Sequence, residues 1–278
     1  MAFKDLLVHV NGSKHCGQRL EVAIQLVQAF DAHLAGLYTG PAIYLPPYIE
    51  GQLTPALLEL QRKRLAEARD AAKAEFDERM RRAGIAAEWR EVEGESATTA
   101  ALHARYADLM VVGQNDPDEP LPDADLDLPE RVVLESARPV LMVPYAGTFP
   151  ALGQRVLVAW NASPQATRAV NDALPLLARA GKVTILAINP AGGSWGHGEG
   201  PGADIALHLA RHGVKAEATH VYADDIEVGD MILSRAADFS ADLIVMGAYG
   251  HARLREDVLG GATRSLFEHM TAPVFMSH

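Results

Sequence analysis

The chain is written twice. Residues 5–13 read DLLVHVNGS and residues 155–163 read RVLVAWNAS, each a short apolar run closing on Asn, a small residue and Ser. Residues 107–113, ADLMVVG, return as ADLIVMG at 241–247, and ARPVLMVP at 137–144 returns as TAPVFMSH at 271–278. The first pair is offset by 150 residues and the other two by 134. Three matches in one order with one change of offset indicate a duplicated domain, longer in its first copy. The unit is too large for a solenoid, whose repeats run to roughly 20–50 residues. Two copies in 278 residues imply domains over residues 1–146 and 153–278, with YAGTFPALGQ (145–154) across the joint.

Within each copy strand and helix signals alternate. LLVHV is a near-continuous apolar run, as expected of a parallel strand covered on both faces. QRLEVAIQLVQAF then places Leu20, Ala23, Ile24 and Val27 on one helical stripe. HLAGLYT reads as a strand, and Pro55 to Arg82 as a long helix rich in Ala, Leu, Glu, Arg and Lys, stopped at Gly84. AAEWREV, a helix over 97–106, ADLMVVG, a helix over 129–136 and VLMVP complete the first copy. The second copy predicts RVLVAW, a helix over 167–180, VTILAIN, a helix over 203–212, KAEATHVY, a helix over 230–239, ADLIVMG, a helix over 262–270 and VFMSH. Five strands alternating with four helices define an α/β fold, two tandem doubly wound domains each with a five-stranded parallel sheet flanked by helices.

Composition narrows the function. Hydrophobic residues make up 49% and charged residues 22%, which argues against disorder. A net charge of −11 argues against a nucleic-acid partner, which needs a concentrated basic face. No apolar run approaches the roughly 18 residues of a membrane span. The N-terminus lacks the order of a signal peptide, and the lone Cys16 excludes a disulfide framework. A cytoplasmic protein is expected.

The segment with most chemistry follows the fourth strand of the second copy, from Gly247 to Thr263. Gly247 and Gly250 sit three apart at a strand end, and Gly260 and Gly261 come where a helix should start. Glycines let backbone approach a ligand, and a helix N-terminus offers unpaired N–H groups and a positive dipole end. Thr263 and Ser265 add hydroxyls; His251, Arg253 and Arg255 add positive charge. On these residues alone a phosphate cradle and a purely structural turn both fit. Neither a P-loop nor a dinucleotide fingerprint is present.

This segment resembles the nucleotide motif of the universal stress protein family: glycine, two residues, glycine, nine residues, glycine, then Ser or Thr. Gly247, Gly250 and Gly260 stand at the glycine positions, Gly261 replaces the hydroxyl residue, and Thr263 matches a common Thr further on. The first-strand turn of that family, Asp-Gly-Ser-like, is similar to Asn11-Gly12-Ser13 and Asn161-Ala162-Ser163. The likeness covers the whole chain in the family's tandem two-domain form. It implies ATP or another adenine nucleotide, with or without Mg2+, across the C-terminal edge of the second sheet. Asn161 would face the adenosine, Ile188 the base, and Gly247, Gly250, His251, Arg253, Gly260, Gly261, Ala262 and Thr263 the phosphates. The family also implies pairing through last strands. VLMVP and VFMSH would then form an intramolecular pseudo-dimer, with a further homodimer allowed and the protein partner undefined.

The first copy serves as an internal control. At the 134-residue offset Gly250 becomes Asp116, Gly260 becomes Leu126 and Gly261 becomes Asp127, and residues 114–130 carry seven carboxylates and no Lys or Arg. Negative charge there would repel a triphosphate, and Pro117, Pro120, Pro122 and Pro129 remove backbone donors. A degenerate nucleotide site follows, whose acidic loop reads as a solvated face or, less directly, a divalent-cation loop.

Other candidates are weaker. His208 and His212 are spaced i, i+4, but a surface-facing pair explains them. His9 and Cys16 read as packed residues. Ser13 and Ser163 lack a nucleophile elbow. Asp224, Asp225 and Glu227 are conceivable metal contacts. Tyr44, Tyr48 and LPPY look like a lid or partner surface, and the Gly-rich 190–202 stretch reads as a connection or a flap. With no catalytic base evident, the expected role is a nucleotide-responsive stress regulator with at most slow ATP hydrolysis. The alternatives are a weak ATPase and a non-nucleotide scaffold.

Overall fold

The computed structural model describes residues 2–41, 55–119, 127–190, 200–223, 225–249 and 261–278. In the first half these are β1 (Asp5–Val10), α1 (Cys16–Phe30), β2 (His33–Pro41), α2 (Pro55–Ala83), β3 (Glu88–Gly94), α3 (Ser96–Ala104), β4 (Leu109–Gly113), α4 (Leu128–Glu135) and β5 (Val140–Val143). The second half has β6 (Arg155–Ala159), α5 (Pro164–Asp172), α6 (Leu174–Leu177), β7 (Lys182–Ile188), α7 (Ala203–Arg211), β8 (Ala216–Val221), α8 (Val228–Asp238), β9 (Leu243–Gly247), α9 (Gly261–His269) and β10 (Val274–Ser277).

All ten strands lie in one sheet, ordered β3-β2-β1-β4-β5-β10-β9-β6-β7-β8. Within each half the pairings are parallel. The halves meet antiparallel, Val274 opposite Met142, Phe275 opposite Leu141 and Met276 opposite Val140. The last strands thus pair within one chain, as the family resemblance implied. Alternate strand residues serve opposite faces: Leu6, Val8 and Val10 meet α1 and α2, while Leu7, Met110 and Val112 meet α3 and α4. The second half repeats this, with α5, α6 and α7 on the first face and α8 and α9 on the other.

The extra length of the first copy includes α2, 29 residues against nine in α7. Its inward residues Phe76 and Met80 are buried, and Phe76 packs 5.5 Å from Trp89 between ring centroids. A side chain on Gly36 would strike the Phe76 ring at 2.6 Å, so this strand glycine is what lets α2 sit close.

The helix expected over 167–180 differs. It begins at Pro164, because the Ser163 hydroxyl accepts the Ala166 N–H at 3.1 Å and Pro164 fits the first turn. It then breaks at Ala173, before Pro175, which can donate no helical hydrogen bond. Ser163 is a helix cap. No helix of the described residues is long and apolar enough to cross a membrane.

Phe275 is fully buried in the strand that joins the halves. Phe275→Ala should cost about 3–5 kcal/mol, read as a lower midpoint in urea unfolding of the full chain.

Candidate functional site

In each half the chain runs outward from β1 or β6 to one side of the sheet and then returns to the other. The reversal falls between β1 and β4, and again between β6 and β9. In open α/β sheets ligands lie outside the carboxyl ends of the strands at such a switch point. At the β6–β9 reversal there is a cavity of about 260 Å³. Its wall is apolar, from Leu186, Ile188, Ile232 and Met246, with Trp160 at the end of β6 and Val228 at the start of α8. Its polar groups are Asn161, Glu227, Thr263 and the start of α9 at Gly261 and Ala262.

Asn161 is placed by a tight turn. Its Oδ1 accepts the Ser163 N–H at 3.1 Å, and Ala162 takes φ +57°, a left-handed conformation. The side-chain amide N–H groups stay available for a ligand. Trp160 continues the strand ladder through its N–H to the Leu186 carbonyl at 2.9 Å, which sets its ring at the cavity edge. Gly247 closes β9 so tightly under α5 that a Cβ would lie 2.4 Å from the Ala166 nitrogen. The first N–H groups of α9 have no carbonyl one turn earlier in the helix. Thr263 is buried, its hydroxyl accepting the Tyr249 N–H at 3.4 Å. Ser265 turns away instead, donating to Asp230 Oδ1 at 2.6 Å. The Glu227 carboxylate faces the start of α9, 3.6 Å from where a Gly261 Cβ would stand. Tyr249, also at positive φ, has its hydroxyl pushed well above the ordinary range by burial and, secondarily, by Glu130.

Seven residues singled out in the sequence therefore line one cavity: Asn161, Ile188, Gly247, Gly261, Ala262 and Thr263 from the nucleotide reading, and Glu227, named there as a conceivable metal contact. Gly250, His251, Arg253 and Gly260 lie outside the described residues, as do Arg255, Tyr44, Tyr48, Asp224 and most of 190–202. Trp160, Val228, Ile232 and Met246 were not singled out. Trp160 alone left a trace, an aromatic beside the turn Asn, whereas the others read as ordinary core positions.

The matching place in the first half is nearly closed, with a cavity of about 20 Å³. Asn11 makes the same turn, accepting the Ser13 N–H at 3.3 Å. Glu119 folds onto the loop after β1, accepting from the Ser13 hydroxyl at 2.7 Å and the Lys14 N–H at 2.9 Å. Asp116 accepts from Lys14 Nζ at 2.7 Å, His15 Nε2 at 2.8 Å and the Asp118 N–H at 2.9 Å. These bonds, Lys14 first, hold its carboxyl well below the usual range. Asp118 and Asp127 are exposed, as a solvated face requires, whereas Asp116 is buried and Glu119 half-buried, so that reading holds for only part of the described carboxylates. His15, Asp116 and Glu119 bring one donor atom each within 4.8 Å of one another. Lys14 and His15 already hold the Asp116 oxygen that a cation would need. His9 and Cys16 are buried, and the His208 and His212 rings lie 4.7 Å apart, tilted by 56°, at the C-terminal end of α7.

The strand order and the switch-point cavity define a tandem α/β protein with a cleft at the carboxyl ends of its second set of strands. Residues 153–278 match the profile described as the Universal stress protein family. A universal stress protein from Archaeoglobus fulgidus superposes with TM-score 0.74 at 18% identity, over 98% of this chain and 97% of that one. A functionally unknown protein from Pseudomonas aeruginosa superposes with TM-score 0.60 at 15% identity, over 99% and 92%. A universal stress protein family protein from Arabidopsis thaliana, solved with AMP bound, covers 51% of this chain and 91% of its own at 15% identity and TM-score 0.37. No curated protein matches the sequence.

Two outcomes follow. Gly247→Ala should cost about 1–3 kcal/mol, since backbone must shift to admit one methyl. Gly12→Ala, with nothing within 4 Å of its Cβ position, should change stability by less than about 0.5 kcal/mol in the same melts. His9 is pushed down from 6.5 to about 3 by burial and then by Arg19. Its folded state excludes the proton, so its contribution is complete above pH 6.5 and is lost as pH falls toward 3, at about 1.4 kcal/mol per unit. Wild type should therefore lose about 2 kcal/mol more than His9→Leu between pH 7 and pH 5, measured by urea unfolding at each pH.

Proposed function

We propose that the second half binds ATP or a related adenine nucleotide in the β6–β9 cavity, and that the chain is a cytoplasmic, nucleotide-responsive regulator in stress response. The observation that carries this is the coincidence, at one switch point, of an apolar slot with the open start of a helix. Leu186, Ile188, Ile232 and Met246 offer a slot for a flat heteroaromatic base, with Trp160 at its edge. Asn161 supplies amide donors toward a ribose. Gly261, Ala262 and Thr263 offer helix-start N–H groups to a phosphate, a preference backed by the helix dipole. Gly250, His251, Arg253 and Gly260 would complete the phosphate side.

The domains at 1–146 and 153–278 then have separate duties, the first being degenerate for nucleotide. Glu227 is the one carboxylate lining the cavity among the described residues, and it would meet Mg2+ carried with the phosphates. No His or second carboxylate lines it among those residues, so hydrolysis should be slow. A homodimer of whole chains is compatible with this role.

Titration of ATP, ADP and AMP into the full chain, followed by calorimetry and Trp emission, tests the reading. Gly261→Glu places a second carboxylate at the phosphate end and should weaken ATP at least roughly tenfold, about 1.4 kcal/mol. Trp160→Phe should abolish the emission change while leaving binding detectable by calorimetry. Absence of binding by any of these nucleotides at about 1 mM, the weak end of specific affinity, would sink the proposal.

A further inference from the structure

Helix α9 is held at one end by each half of the chain. It has nine residues, and a helix so short is marginal in water without tertiary support. Its start lines the β6–β9 cavity through Gly261, Ala262 and Thr263, and its end lies roughly 13 Å away along the axis. Near the start, Ser265 donates to Asp230 of α8 at 2.6 Å. Gly229 of α8 packs so closely there that its Cβ would stand 2.5 Å from the Ser265 Cβ. At the other end the holder is Gln114, from the first half.

Gln114 directly follows β4 and is 7% exposed. Its Nε2 donates to the carbonyl oxygens of Phe267 and Glu268, at 2.9 and 3.2 Å. Both belong to the last turn of α9, whose carbonyls have no N–H within the helix to accept from. The Gln114 Oε1 accepts the Tyr145 N–H at 3.2 Å, and the Gln114 N–H donates to the Val143 carbonyl at 2.8 Å. The two carbonyls can only accept and the Tyr145 N–H can only donate, so the amide has one orientation. The duplication pairs Gln114 with Ala248, whose methyl cannot return the contact to α4. The pseudo-symmetry of the halves is broken here by a polar clamp that runs one way.

We infer that Gln114 is a positioning residue for the phosphate end of the second-half cavity, through which the first half sets how tightly phosphate is held. The inference rests on nucleotide binding in that cavity. A helix fixed at both ends presents its opening N–H groups in one place, and preorganised donors bind more tightly than donors that must first be ordered. Without the Gln114 amide, two carbonyls lose their donor and α9 is left to pivot about Ser265 and Asp230. Its start then shifts relative to a bound phosphate. The apolar slot keeps its shape, because Leu186, Ile188, Ile232 and Met246 stand on β7, α8 and β9. Phosphate and base contacts therefore respond differently.

The test compares ATP with adenosine by calorimetry on the full chain, in wild type, Gln114→Leu and Gln114→Glu. Leu removes donor and acceptor together; Glu keeps the acceptor and turns a carboxylate toward the negative end of α9. Each variant should weaken ATP by about fivefold or more, the low end of coupling between linked sites, while adenosine stays within about twofold. An equal loss for both ligands, the mark of general loosening, overturns the inference, and so does unchanged ATP affinity. Amide exchange in the ligand-free protein tests the clamp without nucleotide: residues 262–270 should exchange faster in Gln114→Leu with β9 unchanged, and equal exchange overturns it. Should neither variant fold, wild type decides, because ATP and not adenosine should slow exchange of the Tyr145 amide that Gln114 holds; no slowing there overturns the inference. Failure of wild type to bind either ligand sinks the nucleotide reading instead, and the exchange result then decides the clamp.

Discussion

The antiparallel pairing of β5 with β10 is the contact on which the rest depends. It turns two five-stranded sheets into one, and its central residues Leu141 and Phe275 have no exposure. A parallel sheet needs both faces covered, and the two apolar layers here each draw on strands and helices from both halves. An edge strand at either joint would leave its N–H and C=O groups open to other chains. Pairing within the chain removes that edge, so each copy provides what the other lacks. The outer edges fall instead to β3 and β8, whose residues are all exposed or half-buried.

Duplication places the same switch point twice, and the two have diverged in charge. In the first half Arg19 enters the cleft from α1 while Asp116 and Glu119 close over it, bound to donors on the loop after β1. In the second half the place of Arg19 is taken by buried Ala169, and the cleft stays open at about 260 Å³ against about 20 Å³. Residues 1–150 carry 15 basic and 23 acidic side chains and the remainder 10 and 13, so the −11 divides into −8 and −3. The excess is local in effect: carboxylates sit where an anionic ligand would approach, and they are occupied by the donors such a ligand would use.

How much of this was legible depends on how local the cause is. The repeat, the ten strands and the two faces follow from apolar period and turn residues, which act over a few positions. The turn at Asn161 was legible for the same reason, since the side chain bonds two residues on. The start of α5 at Pro164 is not legible in the apolar period, because a single side chain, the Ser163 cap, sets it. Trp160, Ile232 and Met246 come from three separate elements, and only the strand order brings them to one cavity. No window of sequence contains that information.

Arg19 shows the limit most sharply. On an amphipathic helix a basic residue reads as solvent-facing, and Leu20, Ala23, Ile24 and Val27 define the buried stripe correctly. Arg19 is nonetheless buried, because the helix start lies over the end of β4 and Gly113 leaves room for a long side chain there. The glycine that in the second half lets backbone approach at Ala166 instead admits a guanidinium in the first. One small residue, kept in both copies, supports two opposite uses, and which one is realised is set by the residue that reaches across from the neighbouring helix.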